Sequence, residues 1–378
     1  MNFPNKLQKK LAVREARAAL RKLQTQSNLI DFSSNDYLGF AKSVTIFKST
    51  HQFLMDRKFT ENGATGSRLL SGNHILYKEV EAVLAAIHQT ESVTIFNSGY
   101  DANLGFFASV PQRNDFILYD ELIHASIRDG MQLSNAKAYK FEHNNLECLE
   151  NKIKSVRTDS RISEEEIYVV TEAVFSMDGD IPDLTAMTAI CKKHNALLVV
   201  DEAHALGVFG TGIIQKLQLE EAVFARIVTF GKGLGCHGAA ILGSHKLQQY
   251  LVNFARSFIY TTALTPHALA TIKMAYKELE TSNLEDKLRE NIQHFIAESN
   301  RLQLDFIKST SAIHCCVISG NAKVKKIANQ LQQKGFDVKP ILSPTVLEGE
   351  ERLRFCLHTY NSKEEITNVL ENLVTFVS

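Results

Sequence analysis

Apolar positions along the chain follow two periods that take turns. From about residue 76 onward, short unbroken apolar runs alternate with longer stretches in which apolar residues return every three or four positions. This pattern predicts helices over 76–87, 102–109, 124–133, 146–156 and 184–193, interleaved with strands over 92–96, 116–119, 138–141, 167–171 and 197–200. Strands joined through helices pair in parallel, and runs such as Leu197-Leu198-Val199-Val200 suit strands covered on both faces. The expected fold is α/β, a mainly parallel sheet flanked by helices.

Outside that block the rhythm changes. A strand over 238–242 and a helix over 246–255 lead into a long helical region, 265–302; strands over 312–318 and 353–357 and helices over 324–334 and 362–376 then suit a smaller α+β domain. At the other end, residues 5–24 are basic, with Leu7, Leu11, Ala16, Leu20 and Leu23 at near-helical spacing. Glu15 and the lack of serine there argue against a transit segment, so a helix docked on the body is expected. A short strand at Ile30 runs into a polar turn, followed by a connecting segment to about residue 60. The division expected is 1–60 as N-terminal helix and arm, 61–265 as a large domain and 266–378 as a small one.

Composition narrows the ligands. Lysine plus arginine equals aspartate plus glutamate, 42 each, which gives no electrostatic reason to expect nucleic acid or an anionic membrane surface. No apolar stretch approaches the roughly 20 residues of a spanning helix. Cys148, Cys191, Cys236, Cys315, Cys316 and Cys356 form no CxxC pair, so reduced thiols in the cytoplasm are expected, without a zinc or disulfide framework.

The candidate chemistry gathers at strand ends, where open α/β sheets bind ligands. Lys232 lies between glycines after the apolar run Val228-Thr229-Phe230, and glycine lets a bound group approach the backbone closely. A free lysine is protonated at neutral pH, whereas one condensed with an aldehyde is a Schiff base; alone, the GKG would be a surface turn. Asp201 closes an apolar strand, where an unpaired carboxylate would be expensive. A protonated pyridine nitrogen would satisfy it, as would a helix N-terminus or an arginine. His204 follows three residues later, a candidate for a phenolic oxygen or a core histidine. Asn97-Ser98-Gly99-Tyr100 opens a helix after a strand and so offers amides to a phosphate. His124 begins another helix, suited to capping or to stacking on a flat ring. The glycines and hydroxyls of 63–72 suit a loop folded closely round a ligand or a neighbouring subunit.

Assembled in order, SSNDYLG (33–39), GSRLLSG (66–72), NSGYDAN (97–103), HAS (124–126), TEAVFSMDGD (171–180), VDEAH (200–204), TFGKG (229–233), IYTT (259–262) and RLRFCL (352–357) make the chain resemble the α-oxoamine synthases nearly end to end. These are pyridoxal-phosphate enzymes of the aspartate-aminotransferase fold, fold type I. The resemblance implies that Lys232 carries pyridoxal 5′-phosphate as a Schiff base and acts as the catalytic base, that Asp201 pairs with the pyridine nitrogen, and that His124 stacks on the ring and assists catalysis. It implies that Ser176 and His204 lie at the phenolic oxygen, and Gly99, Tyr100 and Thr229 at the phosphate or ring face. Thr261 and Thr262 would reach the phosphate in a neighbouring subunit, so a homodimer with shared sites is implied. Arg354 would bind the amino-acid carboxylate by a bidentate fork, with Arg21, Asn35 and Thr345 also at substrate; no metal is implied.

Within the family, TEAVFSMDGD, FGKGLG and the segment 343–357 are most similar to the branch that condenses L-alanine with a pimeloyl thioester, on CoA or acyl carrier protein. The expected activity is that decarboxylative acyl transfer, giving 8-amino-7-oxononanoate and CO2 for biotin biosynthesis. Glycine C-acetyltransferase-like members with another amino acid or acyl chain share the core motifs and form the alternative. An aminotransferase or a non-catalytic sensor would also fit the fold; the first would convert amino acids to keto acids, and the second lacks a DNA-binding appendage here. Ala205-Leu206 and Cys236-His237 depart from the family's usual residues, at positions that bear on the acyl-chain pocket.

Overall fold

The computed structural model describes residues 3–21, 23, 25, 28–159 and 165–377. It divides into two compact units. The larger runs Asp36–Phe175 and Ile181–Glu285; the smaller takes the chain up to Asn35, Ser176–Asp180, and the chain from Asp286 onward. These limits differ from those expected at 60 and 265, and packing explains both. Ile30–Asp31 pairs in parallel with Phe336–Asp337, which draws the start of the arm into the smaller unit. Helix Pro266–Thr281 packs on helices Val44–Asp56 and Ile75–Ile87, which keeps it in the larger.

The larger unit is built on a seven-stranded sheet in the order Ser92–Phe96, Ala239–Gly243, Ala225–Thr229, Leu197–Asp201, Ile167–Glu172, Phe116–Asp120, Lys137–Phe141. Ala239–Gly243 runs antiparallel to both neighbours and the other pairings are parallel, so the expected mainly parallel α/β sheet is present. Its core is apolar and aromatic, with Phe106, Phe107, Ile117, Val170, Val199 and Ile227 all buried. Among the elements of the larger unit that escaped the sequence pattern are one helix and one sheet strand. Helix Val44–Asp56 stands where a connecting segment is expected, buried through Ile46, Thr50 and Leu54 and capped by Ser43, whose hydroxyl accepts from the Ile46 amide. Strand Ala225–Thr229 hides because Arg226 interrupts its apolar run; the buried guanidinium pairs with Glu202 at 2.7 Å.

The register sets the chemistry. Glu172 pairs with Asp201 and Asp201 with Ile227, so the parallel strands end together, and the loop carrying Lys232 follows Thr229 at the same edge. Two glycines fix that loop against the protein itself. A Cβ on Gly233 would collide with the Leu206 carbonyl, and one on Gly235, at φ +57°, with the backbone at Phe40 and Ala41. Gly231, by contrast, has ordinary room. The glycine following Lys232 is thus required by backbone packing, where the sequence suggested room for a ligand.

In the smaller unit, strands Lys339–Ile341, Arg352–Cys356 and Ile313–Val317 form an antiparallel sheet with helices Asn321–Gln333 and Lys363–Val377, the expected α+β arrangement with one extra edge strand. The N-terminal helix is Asn5–Ala16 and buries none of its residues; Leu7, Leu11 and Val13 are exposed. The docked helix expected over 5–24 is therefore corrected. The contacts here come from the turn that follows, where Asn321 Nδ2 donates to the Arg17 carbonyl and Lys325 to that of Ala18. Gln24, the expected helix end, lies outside the described residues.

Gly235→Ala is expected to lose at least about 2 kcal/mol of stability, since it adds both strain and a backbone clash. Gly63→Ala, where a Cβ meets nothing within 4 Å, should unfold at the wild-type temperature. Thermal melts of the two variants check this.

Candidate active site

Asp201 ends its strand almost fully buried. Its Oδ1 accepts from the Ala203 amide at 2.9 Å and its Oδ2 from Asn103 Nδ2 at 2.8 Å. The nearby buried arginine, Arg226, is committed to Glu202. Asn103 Nδ2 also donates to Ser126 Oγ at 3.0 Å, and Ser126 Oγ lies 2.7 Å from His124 Nδ1. Ser126, accepting from Asn103, donates to His124, so a chain of hydrogen bonds ties the buried carboxylate to the histidine.

His124 caps helix Ala125–Leu133, its Nδ1 accepting from the Ser126 amide at 3.2 Å. The rest of its ring presents an exposed face. Protein packed around it lowers its pKa from the usual value; Asp201 opposes this and Lys232 adds to it. The capping expected of this residue is present, made through one edge of the ring.

Lys232 Nζ is 2.7 Å from His204 Nε2, and His204 Nδ1 is 2.7 Å from the hydroxyl of the fully buried Tyr37. Glu172, beside Asp201 in the sheet, is buried with Oε1 lacking a hydrogen-bond partner, while its carboxyl receives the His124 amide. Burial, with the Asp201 charge next to it, pushes its pKa up to about 8.

A second cluster forms at the start of helix Gly99–Ser109. Ser98 caps it, its Oγ accepting from the Asp101 amide at 3.1 Å, and helix geometry leaves the Gly99 and Tyr100 amides without intrahelical acceptors. A Cβ on Gly99 would sit 3.5 Å from Thr229, ordinary contact. Thr261 and Thr262 join this cluster within one chain, Asn97 Nδ2 donating to Thr261 Oγ1 at 3.0 Å and to the Thr262 carbonyl at 2.6 Å. Tyr100 is tied by its hydroxyl to Asp129. The loop 66–72 closes on itself, a Cβ on Gly72 colliding with the Gly66 carbonyl, and leaves Leu70 exposed.

The remaining candidates belong to the smaller unit. The buried Arg354 donates from Nε to the Ser176 carbonyl at 2.8 Å and from Nη2 to Asn35 Oδ1 at 3.0 Å. Arg21 Nη2 donates to Thr345 Oγ1 at 3.2 Å. Ser176, Asn35 and Arg354 are thus neighbours, as are Arg21 and Thr345. Among the departures, Ala205 and Leu206 are fully buried, and Cys236 Sγ lies 3.0 Å from the Leu234 carbonyl with its thiol pushed up to about 12 by burial. Asn103, Ser126, Glu172 and Tyr37 were not singled out in the sequence, although all four lie in the quoted motifs.

A buried carboxylate held by neutral donors, two histidines and a lysine lie at one edge of the sheet, and the fold is that of a fold type I pyridoxal-phosphate enzyme. The chain matches the aminotransferase class I and II model over residues 27–373, and it belongs to that family, which depends on pyridoxal 5′-phosphate. The 8-amino-7-oxononanoate synthase of Emericella nidulans is 39% identical over 391 aligned residues, covering 98% of this chain and 95% of that protein. The structure of serine palmitoyltransferase from S. paucimobilis with a bound PLP-myriocin aldimine superposes with a TM-score of 0.87 at 26% identity, covering 98% of this chain and 96% of that one. The 8-amino-7-oxononanoate synthase of Francisella tularensis gives 0.78 at 27% identity, covering 93% and 98%. Its relatives are α-oxoamine synthases, and the chain is a pyridoxal-phosphate enzyme of acyltransferase type.

The raised Glu172 pKa makes a prediction for stability without cofactor. The native state keeps a proton that the unfolded chain gives up above the ordinary glutamate value of 4.5, so this contribution is complete below that pH and is lost as pH rises toward about 8. Glu172→Gln, neutral throughout, should gain on wild type by up to roughly 1.4 kcal/mol per pH unit across that window. Denaturant melts from pH 5 to 8 decide it; a difference independent of pH would refute the assignment.

Proposed function

We propose that this enzyme condenses L-alanine with a pimeloyl thioester, carried by CoA or acyl carrier protein, to give 8-amino-7-oxononanoate, CO2 and the free thiol, in biotin biosynthesis. Pyridoxal phosphate supplies, when bound, an aldehyde for the amino acid and a sink for the electrons released at its Cα. Asp201 would pair with the pyridine nitrogen and keep it protonated, an assignment supported by its burial and its neutral hydrogen-bond donors Ala203 and Asn103. His124 covers the ring with its open face. His204 and Ser176 would serve the phenolic oxygen, and the Gly99 and Tyr100 amides with Thr229 would lie at the phosphate or ring face, while Thr261 and Thr262 would reach the phosphate in a neighbouring subunit.

Lys232 Nζ is the group that binds the cofactor's aldehyde and that takes the Cα proton of the amino acid. The observation that carries this reading is its 2.7 Å contact with His204 Nε2 at the strand edge that Asp201 closes. Arg354 binds the amino-acid carboxylate through its guanidinium fork, with Arg21, Asn35 and Thr345 completing the substrate contacts. The working form is a cytoplasmic homodimer with shared sites. Exposed Leu70 and Tyr260, on loops joined by the Ala263 amide and the Gly66 carbonyl, support a second copy there. No helix among the described residues is long and apolar enough to cross a membrane.

An α-oxoamine synthase using another amino acid and acyl chain is the second reading, favoured by the higher TM-score to serine palmitoyltransferase.

Crossing small amino acids with acyl thioesters should give 8-amino-7-oxononanoate by mass from L-alanine and the pimeloyl thioester alone. A product from serine or glycine with another acyl chain would transfer the assignment to the second reading. Lys232→Ala should abolish turnover in a folded protein. Arg354→Ala should raise the alanine KM by roughly 10- to 100-fold, the loss of a charge-assisted pair.

A further inference from the structure

Asn103 and Ser126 have no part in the roles assigned above, yet they join two side chains that face the cofactor in that reading. Asn103 Nδ2 donates to Asp201 Oδ2 at 2.8 Å and to Ser126 Oγ at 3.0 Å, and Ser126 Oγ lies 2.7 Å from His124 Nδ1. Both joining residues are buried, Ser126 completely, and all four belong to the larger unit.

The protons along this line have one consistent arrangement. A carboxylate only accepts, so Asp201 turns the NH2 group of Asn103 towards itself; the opposite orientation would set Oδ1 against the charge. Both Nδ2 hydrogens are then used, on Asp201 and on Ser126, while Asn103 Oδ1 is buried without a hydrogen-bond partner. An acceptor is left idle so that both donors stay in place. Ser126 Oγ receives one of them and directs its own hydrogen to His124 Nδ1. That nitrogen also faces the Ser126 amide at 3.2 Å, the cap of helix Ala125–Leu133, and an amide N–H can only donate. Two donors converge on Nδ1, which must therefore carry a lone pair. The single proton of the neutral imidazole is then on Nε2. A proton on Nδ1 would set hydrogen against hydrogen at the amide and take the cap from the helix.

We propose that Ser126, turned by Asn103 and through it by Asp201, is a positioning residue that fixes His124 as the neutral imidazole with its proton on Nε2, so that the side chain covering the cofactor's ring brings no positive charge to it. A ring nitrogen kept protonated by Asp201 would be opposed by an imidazolium against the same ring, and one carboxylate guards against both losses. The inference rests on the reading that His124 covers the ring. The charges acting on His124 are Asp201 and Asp129, which favour its protonation, and Lys232, which opposes it; Tyr100 is bonded to Asp129, and the Glu172 carboxyl receives the His124 amide. Substitution at Ser126 leaves all of these side chains in place.

The test is nitrogen NMR of the full-length protein labelled in its histidine rings, cofactor-free and loaded, with His124 assigned as the signals that His124→Asn removes. A bare ring nitrogen resonates far from a protonated one, so the spectrum of the neutral imidazole reads the tautomer directly. His124 should show a bare Nδ1 and a protonated Nε2; the opposite tautomer overturns the proposal. In cofactor-free Ser126→Ala the midpoint of His124 protonation should rise by about half to one pH unit, a three- to tenfold gain in proton affinity on losing one donor to the lone pair. A role confined to packing would lower the melting temperature without moving the midpoint, and a midpoint equal to that of wild type overturns the proposal. Should Ser126→Ala fail to fold, Ser126→Cys, a weaker donor of similar shape, should move the midpoint in the same direction by less. Pyridoxal phosphate should shift the His124 signals. Bound cofactor that leaves them unchanged would instead overturn the placement of His124 over the ring, so the two failures are distinguishable.

Discussion

The larger unit is arranged around one negative charge kept out of water. Asp201 sits at the end of an apolar strand in the middle of the sheet, where an isolated carboxylate is strongly disfavoured. The neighbourhood answers this with neutral donors, the Ala203 amide and Asn103, while the nearest buried guanidinium is taken by Glu202. Burial is the larger cause of the raised proton affinity of Glu172; the Asp201 charge adds to it and opposes the fall in His124.

The Glu202–Arg226 pair performs the opposite task two strands from Glu172. It is fully internal: Glu202 also accepts the Ile214 amide at 3.0 Å, and Arg226 donates to the His88 carbonyl at 3.1 Å. Adjacent acids in one short motif therefore have different fates. Asp201 is held by the neutral donors Ala203 and Asn103; Glu202 is paired with Arg226 and anchors the turn from Ala203 to Ile214 that carries His204. Removing either partner of the internal pair would leave a buried charge alone, the circumstance in which such pairs matter most.

Much of this was legible in the sequence because parallel α/β units write themselves as alternating periods, and because strand ends in such sheets are where ligands bind. Lys232, Asp201, His204 and His124 all lie at that edge. The missed elements have local reasons. Helix Val44–Asp56 places a threonine in its buried stripe, which blurs the apolar period, and strand Ala225–Thr229 carries a buried arginine whose partner lies on another strand. The N-terminal helix has apolar spacing but no burial in the chain, and spacing alone does not say what an apolar stripe meets. Tyr37, Asn103, Ser126 and Glu172 act through hydrogen bonds or burial set by distant segments, and no local pattern marks such a role.

The loop around Lys232 carries one more implication. Its curvature comes from Gly233 lying under Leu206 and Gly235 lying under Ala41, the latter contributed from the opposite end of the larger unit's sequence. The setting of Lys232 is therefore a long-range property of the chain, assembled only when early and late segments have met. A truncated or half-folded chain contains the same lysine as an ordinary surface amine, with neither the imidazole at its Nζ nor the carboxylate beside it.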